Sequence, residues 1–320
     1  MTEYKNKIYT LGEEPKIGDL EVFGKFQSDI DEMIFFLQQF SNLISDNGHI
    51  ISFISDEVYL ELNTILIDSS ANTLKSIKYC CSIGCFSDAN TLVRKIRDDL
   101  LLYIYLLEII NSREVFDINS SNNISSENTQ IEIERLVEGL NSTRVNKKIR
   151  DDDKILIAWC TNTINELPKN LQRKLGFADY MNRIKQNTLV SNIIETYALN
   201  SYWNKLSLQL NNYVHNNGKE YTKRNIVKIG PNVKSLLEEI SKNVSLVSSF
   251  FIVLIIMIDP RLISSSDLID YLDSGQEPPD NCQYWVAPFI QEFIDIKIVK
   301  LHPEIKQYLI DKNIHGMEIK

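Results

Sequence analysis

The sequence predicts an all-α protein, a compact multi-helix bundle with a short extended N-terminal arm and a helical C-terminal extension. Glycine and proline are scarce, with 11 and 8 residues among 320, so the chain has few of the residues that end strands and form tight turns. Apolar residues recur at spacings of three and four over long stretches, which is typical of amphipathic helices. Hydrophobic residues make up 43% of the chain, enough to fill a substantial core.

We expect the chain to have three parts. Residues 1–25 contain several glycines and a proline among short apolar pieces, which indicates an extended arm with room for one short strand. Residues 26–258 form the predicted helical bundle, interrupted near 111–130 by an exposed loop rich in asparagine and serine. Residues 259–320 are predicted to form a helical extension packed on the bundle.

Apolar periodicity and the residues that begin or end helices locate the individual helices. Ser55 is the expected N-cap of a long second helix that ends at Gly84. The predicted helices cover 28–44, 58–84, 88–110, 131–140, 151–167, 197–215 and 231–258 in the bundle, followed in the extension by a short helix before Gly275, one ending at Val299 and one starting at Pro303.

The most apolar stretch of the chain is Val244 to Ile258. At about fifteen residues it is shorter than the roughly twenty that a bilayer requires, so we predict a helix buried in the centre of the fold. The first twenty residues lack the apolar segment of a signal peptide. The expectation is therefore a cytoplasmic protein with no membrane contact.

Composition and motifs exclude several classes of function. The formal net charge is −9, which argues against a broad basic surface for nucleic acid. The chain lacks a P-loop, a dinucleotide-binding glycine motif, a zinc-protease motif and a hydrolase nucleophile elbow. The five cysteines have no metal-ligand spacing and are expected to be reduced thiols. Three consecutive aspartates, Asp151 to Asp153, are better explained as acids at a helix N-terminus than as a metal site. We expect no metal and no cofactor.

The residues that remain for chemistry lie on two predicted helices. Arginine and aspartate one turn apart share a helix face, as do asparagine and histidine four residues apart. If the two helices pack together, both groups point into one cleft. The candidates are Arg94, Arg97 and Asp98 on the helix over 88–110, and Asn211, Asn212, Tyr213 and His215 on the helix over 197–215.

Two interpretations of these residues remain open. In the functional one, His215 acts as general acid or base in metal-independent RNA cleavage, an arginine stabilises the charge on phosphate, and the asparagines and Tyr213 bind the substrate. In the simpler one, Arg94 and Asp98 form an ordinary i,i+4 ion pair and His215 is a polar residue at a helix end.

Two segments carry a resemblance to known proteins. The segment from Ala89 to Asp98, ANTLVRKIRD, and the later segment from Tyr202 to Ser207, YWNKLS, which His215 follows, resemble a group of bacterial helical proteins of unassigned function. That group is similar in turn to HEPN domains, which are helical ribonuclease and nucleotide-handling modules of toxin–antitoxin and phage-defence systems. The resemblance implies a homodimer in which two histidine helices share a cleft.

The HEPN motif places an arginine five to seven residues before the histidine on the same helix, where this chain has Leu208, Gln209 and Leu210. Either Arg94 or Arg97 supplies the cation from the neighbouring helix, or the domain binds RNA or a nucleotide without cleaving it.

A second hypothesis belongs to a different class of function. In it, the chain is a non-catalytic interaction or regulatory subunit of a defence complex. Three aromatic residues near the C-terminus, Tyr284, Trp285 and Phe289, would be its anchors on a protein partner.

Overall fold

The computed structural model describes residues 16–46, 51–55, 58–115, 144–146 and 149–320, and these residues form a compact bundle of α-helices, as the sequence predicted. Residues 1–15 of the predicted arm, most of the predicted loop and the predicted helix over 131–140 lie outside the described residues. The helices are α1 (Glu21–Asp46), α2 (Ile65–Ser82), α3 (Phe86–Asn111), α4 (Asp151–Cys160), α5 (Lys169–Gln172), α6 (Phe177–Ile184), α7 (Thr188–Thr196), α8 (Leu199–Val214), α9 (Lys219–Lys223), α10 (Val233–Ile258), α11 (Asp267–Asp273), α12 (Pro288–Phe293), α13 (Val299–Leu301) and α14 (Ile305–Lys312).

Helix α10 lies at the centre of the bundle. Every residue from Val247 to Ile258 is buried, and the Phe251 ring contacts Phe40 of α1 and Tyr103 of α3. The helix has 26 residues, longer than the apolar stretch by which the sequence located it. Among the described residues, only α10 is long and apolar enough to cross a membrane, and 78% of its most apolar window is buried within the protein. In this fold α10 is therefore the core helix.

Helix α3 passes from a polar beginning to a fully buried end. All residues from Tyr103 to Ile110 are buried, because α3 packs against α2, α6, α8 and α10. The first half of α3 keeps one partly exposed side, and that side carries Arg94 and Asp98.

The second helix starts later than the sequence predicted, because a strand of a small sheet precedes it. Residues Val58–Leu62 form a strand, β2, and helix α2 begins only at Ile65. Strand β1 (Ile51–Ser55) pairs with β2 antiparallel, β4 (Arg144–Asn146) lies parallel to β1, and β3 (Glu114–Val115) pairs with β4. Val58 and Tyr59 favour strands. Strand β2 pairs with the adjacent β1, and β1 in turn pairs with β4 from a distant part of the chain, which helical periodicity does not reveal.

Other boundaries also differ from the sequence prediction. Helix α1 begins at Glu21, so residues 21–25 of the predicted arm are helical. Helix α4 ends at Cys160, where the prediction continued to residue 167, and Asn162 adopts a left-handed conformation with φ of 59°. Residues 169–196, for which the sequence predicted no helix or strand, contain α5, α6 and α7.

The C-terminal residues pack on the bundle through aromatic side chains. The Phe36 ring of α1 stacks on Phe293 of α12 at a centroid distance of 4.0 Å. After α12 the chain forms a π-helix, Ile294–Ile298, that continues into α13. One cluster of buried hydrophobic residues extends from Ile17 to Ile319, so the extension and the bundle share a core.

Candidate functional site

The two helices that carry the predicted site residues pack against each other in opposite directions. The backbone N–H of Phe86, the first residue of α3, donates to the carbonyl of Arg224, just after α9, at 2.9 Å. Further along α3, Arg97 lines a small internal cavity together with Trp203, near the start of α8. The start of α3 therefore lies near the end of α8, and the middle of α3 lies near the start of α8.

Arg97 is buried in this contact, with 1% of its surface exposed. Its Nε and Nη2 atoms donate to Asp98 Oδ1 at 2.9 and 2.6 Å. The guanidinium carbon lies 4.3 Å from the centroid of the Phe177 ring, which stacks on Trp203. Burial lowers the pKa of the Arg97 guanidinium, and the Asp98 carboxylate partly offsets that effect. An arginine held in this way is a packing residue with its own counter-ion.

Arg94 is one turn closer to the start of α3. Its Nε lies 3.5 Å from Asp98 Oδ2, which is the i,i+4 ion pair that the simpler interpretation predicted. Asp98, whose side chain is 36% exposed, therefore pairs with both arginines.

Asn212 and Tyr213 lie near the other end of α8, where they hold the following turn. The Tyr213 hydroxyl donates to Glu239 Oε1 of α10 at 3.1 Å and accepts a hydrogen bond from Arg224. Asn212 Nδ2 donates to the Tyr221 hydroxyl at 3.0 Å. Burial and the nearby Glu239 carboxylate raise the pKa of Tyr213, so the phenol stays neutral. Asn211 is half-buried, and its carbonyl accepts the backbone N–H of His215 at 3.0 Å.

His215 caps the C-terminus of α8 and is exposed. Within the described part of the chain its imidazole has no hydrogen bond and no ion pair. Twelve residues separate it from Trp203, which neighbours Arg97. At a rise of 1.5 Å per residue that is roughly 18 Å along the helix. The structure thus separates His215 from Arg97 along α8, where the sequence hypothesis placed both in a single cleft.

A groove of about 920 Å³ lies along a neighbouring face of α8, between this helix, α10 and the π-helix with α13. Four lysines and one carboxylate line it: Lys205, Lys242, Lys297, Lys300 and Glu239. We call it the lysine groove.

Most of the positive charge in the lysine groove is unbalanced. Lys297 forms an ion pair with Glu32 at 2.9 Å. Glu239 already has partners, because Gln209 Nε2 donates to it at 2.6 Å and Arg224 lies 3.3 Å away. Among the residues described, no carboxylate oxygen lies within 4.0 Å of the ammonium groups of the other three lysines.

Asn243 of α10 also lines the groove. Only 7% of its surface is exposed, and its Nδ2 has no hydrogen-bond partner among the described residues. Buried donors are almost always paired, so the unpaired Nδ2 is an unusual feature of a residue that lines this cationic groove.

The sequence analysis missed these groove residues. Lys205 lies inside the segment that carried the resemblance, but its partners come from α10 and from residues 297–300, so no local spacing connects them. The described residues contain no group of three or more histidine, cysteine, aspartate or glutamate side chains that could hold a metal ion. The three aspartates instead bind basic side chains: Asp151 pairs with Lys154, Asp152 with Arg183 and Asp153 with Arg113.

The aromatic anchors of the second hypothesis lie near the surface of the extension. Tyr284 is 37% exposed, and Trp285 and Phe289 are half-buried. Phe289 packs edge-on against Phe36 at a centroid distance of 5.8 Å, so part of this set belongs to the core.

Comparison with known proteins gives no match to a family model, a curated protein or a solved structure. The resemblance to HEPN domains stays a prediction from the residues.

Proposed function

We propose that this protein binds the phosphate groups of RNA or a nucleotide in the lysine groove, as a module of a bacterial defence or stress system, and that it does not use His215 to cleave RNA. The observation that carries the proposal is the groove itself, which is lined by three lysines without carboxylate partners among the described residues and by Asn243, whose buried amide donor is also unpaired there. Lysine is a compact point charge that suits phosphate.

The positions of the predicted catalytic residues favour binding of RNA or a nucleotide over cleavage of RNA. General acid–base catalysis on a phosphodiester needs a proton donor or acceptor and a cation at the same phosphate. Arg94 and Arg97 are directed to Asp98, and His215 lies exposed near the opposite end of α8. The two arginines therefore have a packing role, and His215 has a capping role.

A titration of fluorescent single-stranded RNA and of labelled ATP tests this proposal. We expect binding of at least one of the two to weaken as salt is added, because exposed charges are screened. His215→Ala should leave both this binding and the RNA itself unchanged, as seen by gel electrophoresis. The proposal fails if neither ligand binds, or if the wild-type protein cleaves RNA and His215→Ala does not.

The homodimer and the cytoplasmic location stay predictions of the sequence. Light scattering on the purified chain measures the first: a mass of twice 37.0 kDa is the expected result.

A further inference from the structure

We infer that the lysine groove binds an organic polyphosphate, a small molecule in which a chain of phosphate groups is attached to a flat group that accepts hydrogen bonds. This inference rests on the proposed function and narrows its ligand from any phosphate-bearing molecule to a small one.

Charge is the first argument for a chain of phosphates. Lys205, Lys242 and Lys300 have no ion pair in the described part of the chain, and Glu239 is already bonded to Gln209 and Tyr213. Ammonium groups that line one groove repel one another, and a ligand with several negative charges removes that repulsion. One isolated phosphate would neutralise only part of the set.

The size and setting of the groove favour a small molecule over an RNA strand. Its volume of about 920 Å³ lies within the range of roughly 300–1,000 Å³ that small-molecule sites occupy. Proteins that bind RNA strands continue their basic surface along the strand. Here the formal net charge of the chain is −9, so the protein as a whole repels such a strand.

The remaining lining residues suit the part of the ligand without phosphate. Asn243 Nδ2 is buried without a partner among the described residues and would donate to an oxygen or a ring nitrogen of the ligand. Tyr202, which is 44% exposed, supplies an aromatic face at the groove. Leu206, Leu246 and Leu301 add apolar surface.

The π-helix brings part of the positive charge to the groove. Lys297 lies in this segment and Lys300 in the turn that follows. Single π-turns inside α-helices are rare and occur frequently at functional sites. The irregular backbone at this position is a second, independent feature of the same groove.

Calorimetric titrations of the full chain with ATP, GTP, inorganic triphosphate and a short single-stranded RNA test the inference. We expect ATP or GTP to bind at one site per chain. Lys242→Gln and Lys300→Gln should each weaken that binding roughly tenfold, since each removes a charge-assisted contact. Lys169→Gln is the matched control: Lys169 lies on α5, outside the groove, so its variant should bind as the wild type does.

The variant Asn243→Ala tests whether Asn243 contacts the part of the ligand without phosphate. It should weaken binding of ATP or GTP but leave binding of inorganic triphosphate unchanged, with circular dichroism confirming the fold. Equal weakening of both would overturn the role of Asn243 at the non-phosphate group.

The remaining outcomes distinguish this inference from the proposed function. If RNA binds and no mononucleotide does, the inference is overturned and the proposed function stands. Nucleotide binding that is unchanged in both lysine variants overturns the location of the site. If neither RNA nor any of the small phosphates binds, both proposals are overturned.

Discussion

Arginine side chains buried in this protein lie against carboxylates. Arg113 and Asp153 have side chains with 0% exposure and lie 3.0 Å apart, and Arg150 reaches the same carboxylate at 3.0 Å. On α3 the buried Arg97 also lies against a carboxylate, that of Asp98, but the Asp98 side chain is 36% exposed. Removing one member of such a pair leaves an uncompensated charge in the interior, which costs far more than the pair contributes.

Asp153→Asn should therefore lower the free energy of unfolding by roughly 3–5 kcal/mol, because Arg113 loses its buried counter-ion. Urea denaturation measures the loss. Asp151→Asn is the control, since Asp151 is half exposed and pairs with the exposed Lys154. Its variant should change stability by less than about 0.5 kcal/mol. Similar losses in the two variants would contradict the structural role of Asp153.

The Asp153 carboxylate should make the free energy of unfolding depend on pH under acidic conditions. Burial by itself raises the pKa of Asp153, but hydrogen bonds from Arg150 and the charges of Arg113 and Arg150 outweigh it, so the pKa lies below its ordinary value. Stability from a lowered pKa is fully present above the unfolded-state pKa, about 3.9, and is lost as the pH falls through the folded-state pKa. The stability difference between wild type and Asp153→Asn should shrink below about pH 4. A constant difference would contradict this expectation.

At the scale of elements, the turn between α2 and α3 depends on one glycine. Gly84 has φ of +84°, and the N–H of Cys85 donates to the carbonyl of Cys80 at 2.8 Å, which closes the end of α2. A Cβ at Gly84 would lie 2.3 Å from the Val227 carbonyl oxygen. The glycine thus allows the segment after α9 to approach the α2–α3 turn.

Gly84→Ala should destabilise the fold by at least about 1–2 kcal/mol, from left-handed strain together with the contact at Val227. Gly24→Ala is the matched control. Gly24 lies within α1, and among the described residues, apart from its chain neighbours and the backbone of its own helix, no atom lies within 4 Å of the point that an alanine Cβ would occupy there. Alanine at this position should stabilise the protein by roughly 0.5–1 kcal/mol. Thermal denaturation measures the stability of both variants. Stability changes of the same sign would contradict the role assigned to Gly84.

At the scale of the molecule, the C-terminal residues and the bundle should unfold together. Their buried side chains belong to one hydrophobic cluster, and the stacked pair of Phe36 and Phe293 joins them. A variant with Trp159→Phe and Trp203→Phe leaves Trp285 as the only tryptophan. Its fluorescence should change at the same urea concentration as the helical circular dichroism signal. An earlier fluorescence transition would show that the extension unfolds separately.

The sequence by itself determined what depends on local spacing. Apolar periodicity and scarce glycine and proline predicted the helical class, and the end of α2 before Gly84 followed from the conformational freedom of glycine. The ion pair between Arg94 and Asp98 is also local, because residues four apart on a helix are neighbours.

Tertiary structure decided what depends on contacts between distant segments. Val58–Leu62 is a strand within a sheet in which its neighbour β1 pairs with the distant β4, and helical periodicity could not reveal this. Packing of α3 on α6 and α8 buried Arg97 beneath Phe177 and left His215 exposed at the far end of α8. The lysine groove is the strongest case: its lysines come from three separate segments, and they become neighbours only because α8, α10 and the π-helix pack side by side.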